Sequence, residues 1–303
     1  MLGITTQPER QQVEIEISKQ VAVIQKCRQN LLKRRVSYPQ AEFKPAEQLP
    51  LWPEKTRGTP NAWLRGALFA AIQGKKRRAL KRELLASVDG VQIRFTGWQL
   101  DQSDLDVWET IVHLSRQKAM GNPVEFSAHS ILKELMRDTG KSQHEWLKDV
   151  MSRLYSAGVE ISVGRYTYFG TLLKGARDEL TGHYVVELEI KLLTMYQAGW
   201  TQIEWGVRHK LRRKPLALWL HGWYCSHAKS HRLKVETIRK LSGSSNPQLS
   251  SFRRQIGIAL EDLKSIGEIQ EWKLCDGDLI DVTRTPSPAQ KKHLKKKSRV
   301  KND

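Results

Sequence analysis

The residues best suited to chemistry lie between Gln248 and Ser265, where the apolar spacing predicts a helix. With residues ~100° apart, Leu249, Phe252, Ile256, Leu260 and Leu263 fall on one side. The opposite side holds Ser250, Ser251 and Arg254, with Ile258 a turn later, while Arg253 and Gln255 lie on the flanks. Short polar side chains at a helix start allow close approach to a nucleic-acid groove, and arginine reaches guanine edges or phosphates. The free N–H groups of the first turn attract phosphate as well. An amphipathic surface helix with solvated arginines has the same pattern, so the neighbouring elements must decide.

Those neighbours favour DNA. A Trp- and Leu-rich helix over Lys214–Ser226 precedes a short helix over Lys234–Leu241 and the breaker Ser242–Pro247. Gly267 stops the long helix, and strands Glu268–Leu274 and Leu279–Val282 flank Asp276-Gly277, a pair that favours a tight hairpin turn. Helix, turn, helix and hairpin in this order make a winged helix.

The same order is expected upstream, after a helix near Ala62–Gln73 and a strand around Val91–Phe95. Helices over Asp104–Lys118, Ala128–Arg137 and Ser142–Ala157 precede strands Val159–Val163, Tyr166–Leu173 and Tyr184–Ile190. Here the helix 142–157 exposes Lys148 and Ser152, but also Glu145 and Asp149, which oppose a phosphate backbone. The wing carries Arg165, Tyr166 and Tyr168, suited to backbone contact or to a protein surface; alternatively the tyrosines simply pack. The run Lys75, Lys76, Arg77, Arg78 is a further candidate for phosphate contact.

Residues 9–35 read as a basic helix, although the alternation Val13-Glu14-Ile15-Glu16-Ile17 also suits a strand, and prolines recur from Ser37 to Pro60, as in an extended tether. Within it, Gln48-Leu49-Pro50-Leu51-Trp52 has the glutamine–leucine–x–leucine–aromatic shape of peptides that bind the bacterial sliding clamp. The alternative is that Trp52 folds back onto the first domain. The expected fold is α+β: two winged-helix domains in tandem (61–205 and 206–284), an N-terminal helix and tether (1–60), and a basic disordered tail (285–303).

Composition sets the limits. The 303 residues are 39% hydrophobic, enough for real cores, and Lys plus Arg number 51 against 32 Asp plus Glu, a net charge of +19. Such a surplus seeks a polyanion. No apolar run approaches the ~18–20 residues that span a bilayer, and the opening Met1–Pro8 lacks the basic-then-apolar order of a signal peptide. Cys27, Cys225 and Cys275 are too few and too scattered for a disulfide framework, so a reducing cytoplasm is expected and a membrane partner is not. No Gly-x-x-x-x-Gly-Lys-Ser/Thr loop and no His-x-His triplet occurs, which argues against an ATPase and against a metal-dependent nicking enzyme. Cys225, His227 and His231, with distant Cys275, could hold zinc, but such residues on a Trp-rich helix more often pack or cap; no metal, no cofactor and no enzymatic activity are expected.

Long strings carry a resemblance: Gln48–Arg65, Leu68–Arg78, Phe95–Trp108, Lys234–Ser245 and the helix containing Phe252-Arg253 closely resemble plasmid replication initiators of the TrfA type, over roughly residues 46–283. The resemblance implies binding to double-stranded iteron repeats, opening of an adjacent AT-rich segment and contact with the exposed single strand. It further implies recruitment of host initiator, helicase and sliding clamp, and a monomer–homodimer balance with the first winged helix as dimer surface. The bacterial cytoplasm, on a plasmid, is the implied setting. Clamp binding would rest on Gln48, Leu49, Leu51 and Trp52, with Pro50 where Ser or Asp is commoner and Trp52 where Phe is commoner. The rival reading, a winged-helix transcriptional repressor, has no obvious use for that peptide.

Overall fold

The computed structural model describes residues 49–291, apart from 74–76, 89, 120, 164–165, 190–192, 285 and 288–289. The expected basic helix 9–35, Gln48, Lys75, Lys76, Arg165 and most of the basic tail therefore lie outside the described residues. Helix and strand are mixed throughout, as the sequence implies.

The first unit opens with strand β1 (Thr56–Pro60), helix α1 (Asn61–Leu64), β2 (Phe69–Ala70), β3 (Ala79–Leu85), β4 (Val91–Trp98) and β5 (Leu100–Asp101). It continues through α2 (Gln102–Ser115), β6 (Val124–Ser127), α3 (Ala128–Glu134), α4 (Lys141–Ser156), β7 (Gly158–Val163) and β8 (Tyr166–Thr171). Strands β9 (Lys174–Arg177) and β10 (His183–Glu187), helix α5 (Leu193–Gln197), β11 (Trp200–Glu204) and α6 (Trp205–Lys210) complete it. The second unit is α7 (Pro215–Ser226), β12 (Leu233–Lys234), α8 (Val235–Leu241), α9 (Leu249–Ser265), β13 (Glu271–Cys275) and β14 (Leu279–Thr283). Each unit has its own apolar core, one running from Leu49 to Trp205 and the other from Leu211 to Val282.

Local chemistry sets the helix starts. Asp101 caps α2 by accepting from the Ser103 and Asp104 N–H groups, while the Asp104 carboxylate accepts from the Asp101 N–H at 2.9 Å. Ser127 accepts from Ser130 N–H at the start of α3, and Pro215 occupies the first turn of α7. The helix expected over Ala62–Gln73 is confined to Asn61–Leu64; after a turn, Phe69–Ala70 pairs in parallel with Leu100–Asp101 instead.

A three-stranded sheet recurs in the two units. In the first its order is β6-β10-β9, in the second β12-β14-β13, so that in each the strand before the helix pair joins the second arm of the hairpin. The first unit's wing-like hairpin is thus Lys174–Glu187, not the expected 159–173. Strands β7 and β8, with Tyr166 and Tyr168, instead extend β3 and β4 into a separate four-stranded sheet. Ile93, Phe95, Val159 and Ile161 from that sheet share a core with Leu147, Val150, Met151 and Leu154 of α4.

The tether is also corrected from Leu49 onward, its earlier part lying outside the described residues. Strand β1 is buried along its whole length and pairs antiparallel with β11, from Thr56↔Glu204 to Pro60↔Trp200. Proline terminates the strand without interrupting it, and Arg57 reaches Glu134 at 2.6 Å while covering the Trp205 ring at 4.5 Å. What looked like spacer is a wall of the first unit.

Buried charge holds that wall to α2. Arg208 on α6 donates to Asp106 and lies 3.4 Å from Glu109, and it also donates to the Gln102 carbonyl at 3.2 Å. Thr59 of β1 donates to the same Glu109. Burial raises both carboxyls, and Arg208 counteracts it. Replacing Arg208 by Leu should therefore destabilise the chain by about 3–5 kcal/mol. With both carboxyl pKa values raised in the folded state, the loss should grow from about pH 5 to about pH 8 as the stranded acids ionise. Equilibrium unfolding at the two pH values checks this.

Candidate nucleic-acid interface

Helix α9 has the two faces its spacing implies. Phe252, Ile256, Leu260 and Leu263 are buried, whereas Ser250, Arg254, Gln255 and Ile258 face solvent. Leu249 is half-buried, as expected of the first turn. Gly267 takes the left-handed conformation (φ 82°), and the N–H groups of Gly267 and Glu268 bond the carbonyls of Lys264 and Leu263 at 3.0 Å each, a Schellman stop.

The candidate site residues part company here. Arg254 makes no ion pair among the described residues, and Gln255 is equally exposed. Arg253 is different: it donates two bonds to Asp278, at 2.7 and 2.8 Å. Asp278 sits with φ 63° in the hairpin loop, because Cys275 pairs with Leu279 and leaves three residues to turn, not the tight Asp276-Gly277 pair. Arg253 thereby joins α9 to the β13–β14 hairpin loop. Ser251 is also engaged, accepting from the Asn246 amide at 3.1 Å.

The helix is aimed by the turn before it. Gly243 (φ 61°) approaches the first unit so closely that a Cβ would lie 2.8 Å from the Ala70 Cβ. The Ser242 carbonyl accepts from Ala71 N–H at 2.6 Å, and Trp219 of α7 donates to the Gly66 carbonyl at 3.1 Å. The segment Gly66–Ala71 is therefore a seat for the second unit. Beside it lies a cleft of about 450 Å³ lined in part by Arg78, Glu83, Arg239, Lys240 and Asn246.

In the first unit, Lys148 and Ser152 are exposed on α4, next to exposed Glu145 and Asp149. Tyr168 is half-buried and donates to the Thr171 carbonyl at 3.3 Å, so it is packed to a degree that the alternative reading allowed. Arg77 does not project: it pairs with Asp101 and Asp104, at 2.5 and 2.9 Å, as a support for the start of α2. Arg78 remains exposed and pairs with Glu83 at 2.7 Å. Both acids lie far enough along the chain that no local pattern reveals these pairs.

The peptide before β1 is embedded. Leu49 and Trp52 are 2% and 4% exposed, against 67% for Leu51. The Trp52 indole donates to His113 Nδ1 at 2.9 Å, stacks on Tyr196 (ring centroids 6.3 Å apart), and lies so near Gly58 that a Cβ there would come within 2.5 Å of it. His113 accepts on Nδ1, so its Nε2 donates to Glu54 at 2.9 Å; burial lowers its pKa and keeps the ring neutral. An exposed tether carrying a free Trp52 is thus replaced by a latch.

A strongly basic, helix-and-sheet protein with an exposed polar helix face beside a hairpin has the character of a nucleic-acid-binding protein. The chain belongs to the TrfA protein family, whose model matches residues 6–284. It is 24% identical over 284 residues to the plasmid replication initiator protein TrfA of Escherichia coli, covering 89% of this chain and 71% of that one. In fold it is similar to domains 2 and 3 of RctB, with a TM-score of 0.50 and 14% identity over 74% of this chain and 98% of that one. Among the described residues no helix is long and apolar enough to cross a membrane.

Trp52→Ala should lower stability by about 3–5 kcal/mol, because it opens a cavity and removes the indole donor from His113 Nδ1, whereas Leu51→Ala should stay within about 0.5 kcal/mol. Denaturant titration of the two variants separates a latch from a free peptide.

Proposed function

We propose that this chain is a plasmid replication initiator that binds iteron repeats at the origin through a winged helix in residues 206–284. The observation that carries this reading is the N-terminal face of α9, where Ser250, Arg254 and Gln255 stand free beside the β13–β14 hairpin. Those groups suit base edges in a major groove, and Arg254 has no competing acid among the described residues. Arg253, held toward the wing by Asp278, suits a phosphate instead. Family membership and the name of the Escherichia coli relative support the same reading.

In this reading the first unit is the first winged helix, contacting flanking backbone through Lys148, Ser152 and its wing, or a second copy of the chain when the protein is dimeric. Several bound copies strain the duplex until a neighbouring AT-rich segment opens. The basic surface then holds the single strand while host initiator and helicase assemble. The chain itself performs no covalent chemistry, and its setting is the bacterial cytoplasm. Capture by the sliding clamp through Gln48, Leu49, Leu51 and Trp52 would have to draw Leu49 and Trp52 out of the first core, so clamp binding and opening of the latch are coupled.

Binding of the full chain to iteron duplex and to scrambled duplex across a salt series tests the proposal. Specific affinity should exceed the nonspecific by ~10³ or more as salt rises. Arg254→Ala should cost about 1–3 kcal/mol on the iteron and less on scrambled DNA. Arg253→Ala should weaken both about equally and reduce the salt slope by about 1. Equal affinities that collapse together would make the chain a nonspecific basic binder; full specificity without melting of the AT-rich segment would make it a repressor.

A further inference from the structure

One cluster in the second unit takes no part in the nucleic-acid face. His221 and Cys225 lie one helical turn apart on α7, and Glu268 follows the Schellman stop of α9. The three residues bring a nitrogen, a sulfur and a carboxylate oxygen to within 4.8 Å of one another. His221 Nε2 is 3.4 Å from Cys225 Sγ and 3.5 Å from Glu268 Oε2. Both acceptors converge on the same ring nitrogen. A hydrogen-bonded relay through an imidazole would engage its two nitrogens separately, whereas here Nδ1 is buried with no partner among the described residues.

Convergence on one point is what a metal ion requires. Zinc takes sulfur at ~2.3 Å and nitrogen or oxygen at ~2.0–2.2 Å, so tetrahedral ligands stand roughly 3.3–3.8 Å apart. The two separations to His221 Nε2 lie in that interval, and the carboxylate of Glu268 is 30% exposed. Sulfur, imidazole and carboxylate together suit zinc better than magnesium or calcium, which prefer oxygen alone. Cys225 is half-exposed, which supplies an entry path and leaves the fourth position to water.

We infer that His221, Cys225 and Glu268 form a zinc site that ties the central helix α7 to the end of the reading helix α9. The set differs from Cys225, His227 and His231. His227 stacks on Trp223 with ring centroids 4.3 Å apart and is within 2.8 Å of the Trp223 carbonyl through Nδ1, and His231 is exposed on the loop beyond. Binding must displace the proton that Cys225 and Glu268 favour on His221, whose pKa they pull up to about 9 against the opposing effect of burial. Lys210 and Arg284 add positive charge near Glu268, so the site needs both anionic ligands to hold a dication. The ion would brace the helix whose opposite end meets DNA.

Cobalt(II) titration of the purified full chain is the test, since cobalt reports tetrahedral geometry and thiolate ligation by separate absorption bands. One equivalent per chain should bind with both signatures, and zinc should displace it. Cys225→Ser should abolish the thiolate band and weaken zinc at least ~10-fold, while His231→Ala should change neither. Zinc should also raise the melting temperature of the wild-type chain but not of Cys225→Ser. Absence of saturable cobalt binding, or an unchanged thiolate band in Cys225→Ser, would overturn the inference. Iteron affinity measured on the same preparations keeps this outcome separate from that of the DNA-binding proposal.

Discussion

The first unit is organised by ionised groups that have left water together. Arg208 places its guanidinium 1% exposed between Asp106 and Glu109, while Arg57, equally buried, reaches Glu134. Neither cation could remain there alone, because an unpaired buried charge costs several kcal/mol. The consequence is geometric. Helices α2 and α3 supply the acids, α6 and β1 supply the bases, and each must stand where the other needs it. Thr59 and Trp52 add neutral hydrogen bonds to Glu109 and His113 on the same helix face. Segments at opposite ends of the unit, 49–60 and 200–210, are thereby closed over α2.

That closure prepares the seat on which the second unit rests. Gly66–Ala71 follows directly from the latch, and Trp219, Ser242 and Gly243 are fitted against it. Small residues matter at this contact. Ala67 and Ala70 on one side and Gly243 on the other leave no depth for longer side chains. Tight backbone contact transmits orientation better than a flexible linker, so the outward face of α9 has a defined direction relative to the first unit.

Within the second unit, α9 is held at both ends by contacts that leave its solvent-facing stripe free. At its start, Asn246 reaches Ser251, and Arg253 is tied to the hairpin loop through Asp278. At its end, Gly267 turns the chain so that Glu268 meets His221 and Cys225. Both anchors use polar groups on the flanks. The solvent-facing stripe, Ser250, Arg254 and Ile258, is left without an intramolecular ion pair among the described residues.

Local periodicity was enough to place α2, α4, α7 and α9 to within a few residues, because an amphipathic helix repeats its buried positions every turn and needs no distant partner to be recognised. The outward set on α9 followed from the same geometry, and net charge alone pointed to a polyanion. Other features depended on residues far apart in sequence. Which acids pair with Arg77 and Arg253 was settled by the fold, which brings up Asp101, Asp104 and Asp278. Which hairpin joins the strand before the first unit's helix pair was settled by β6, which pairs with β10 and leaves β8 to the other sheet. The prolines at 50, 53 and 60 looked like tether because proline signals only what the backbone cannot do; that Trp52 and Thr56–Pro60 lie buried depended on β11 and His113 arriving to pair with them. Side-chain type and spacing determine what a segment can present, but burial and pairing are properties of the pair, and only the tertiary structure brings the partner.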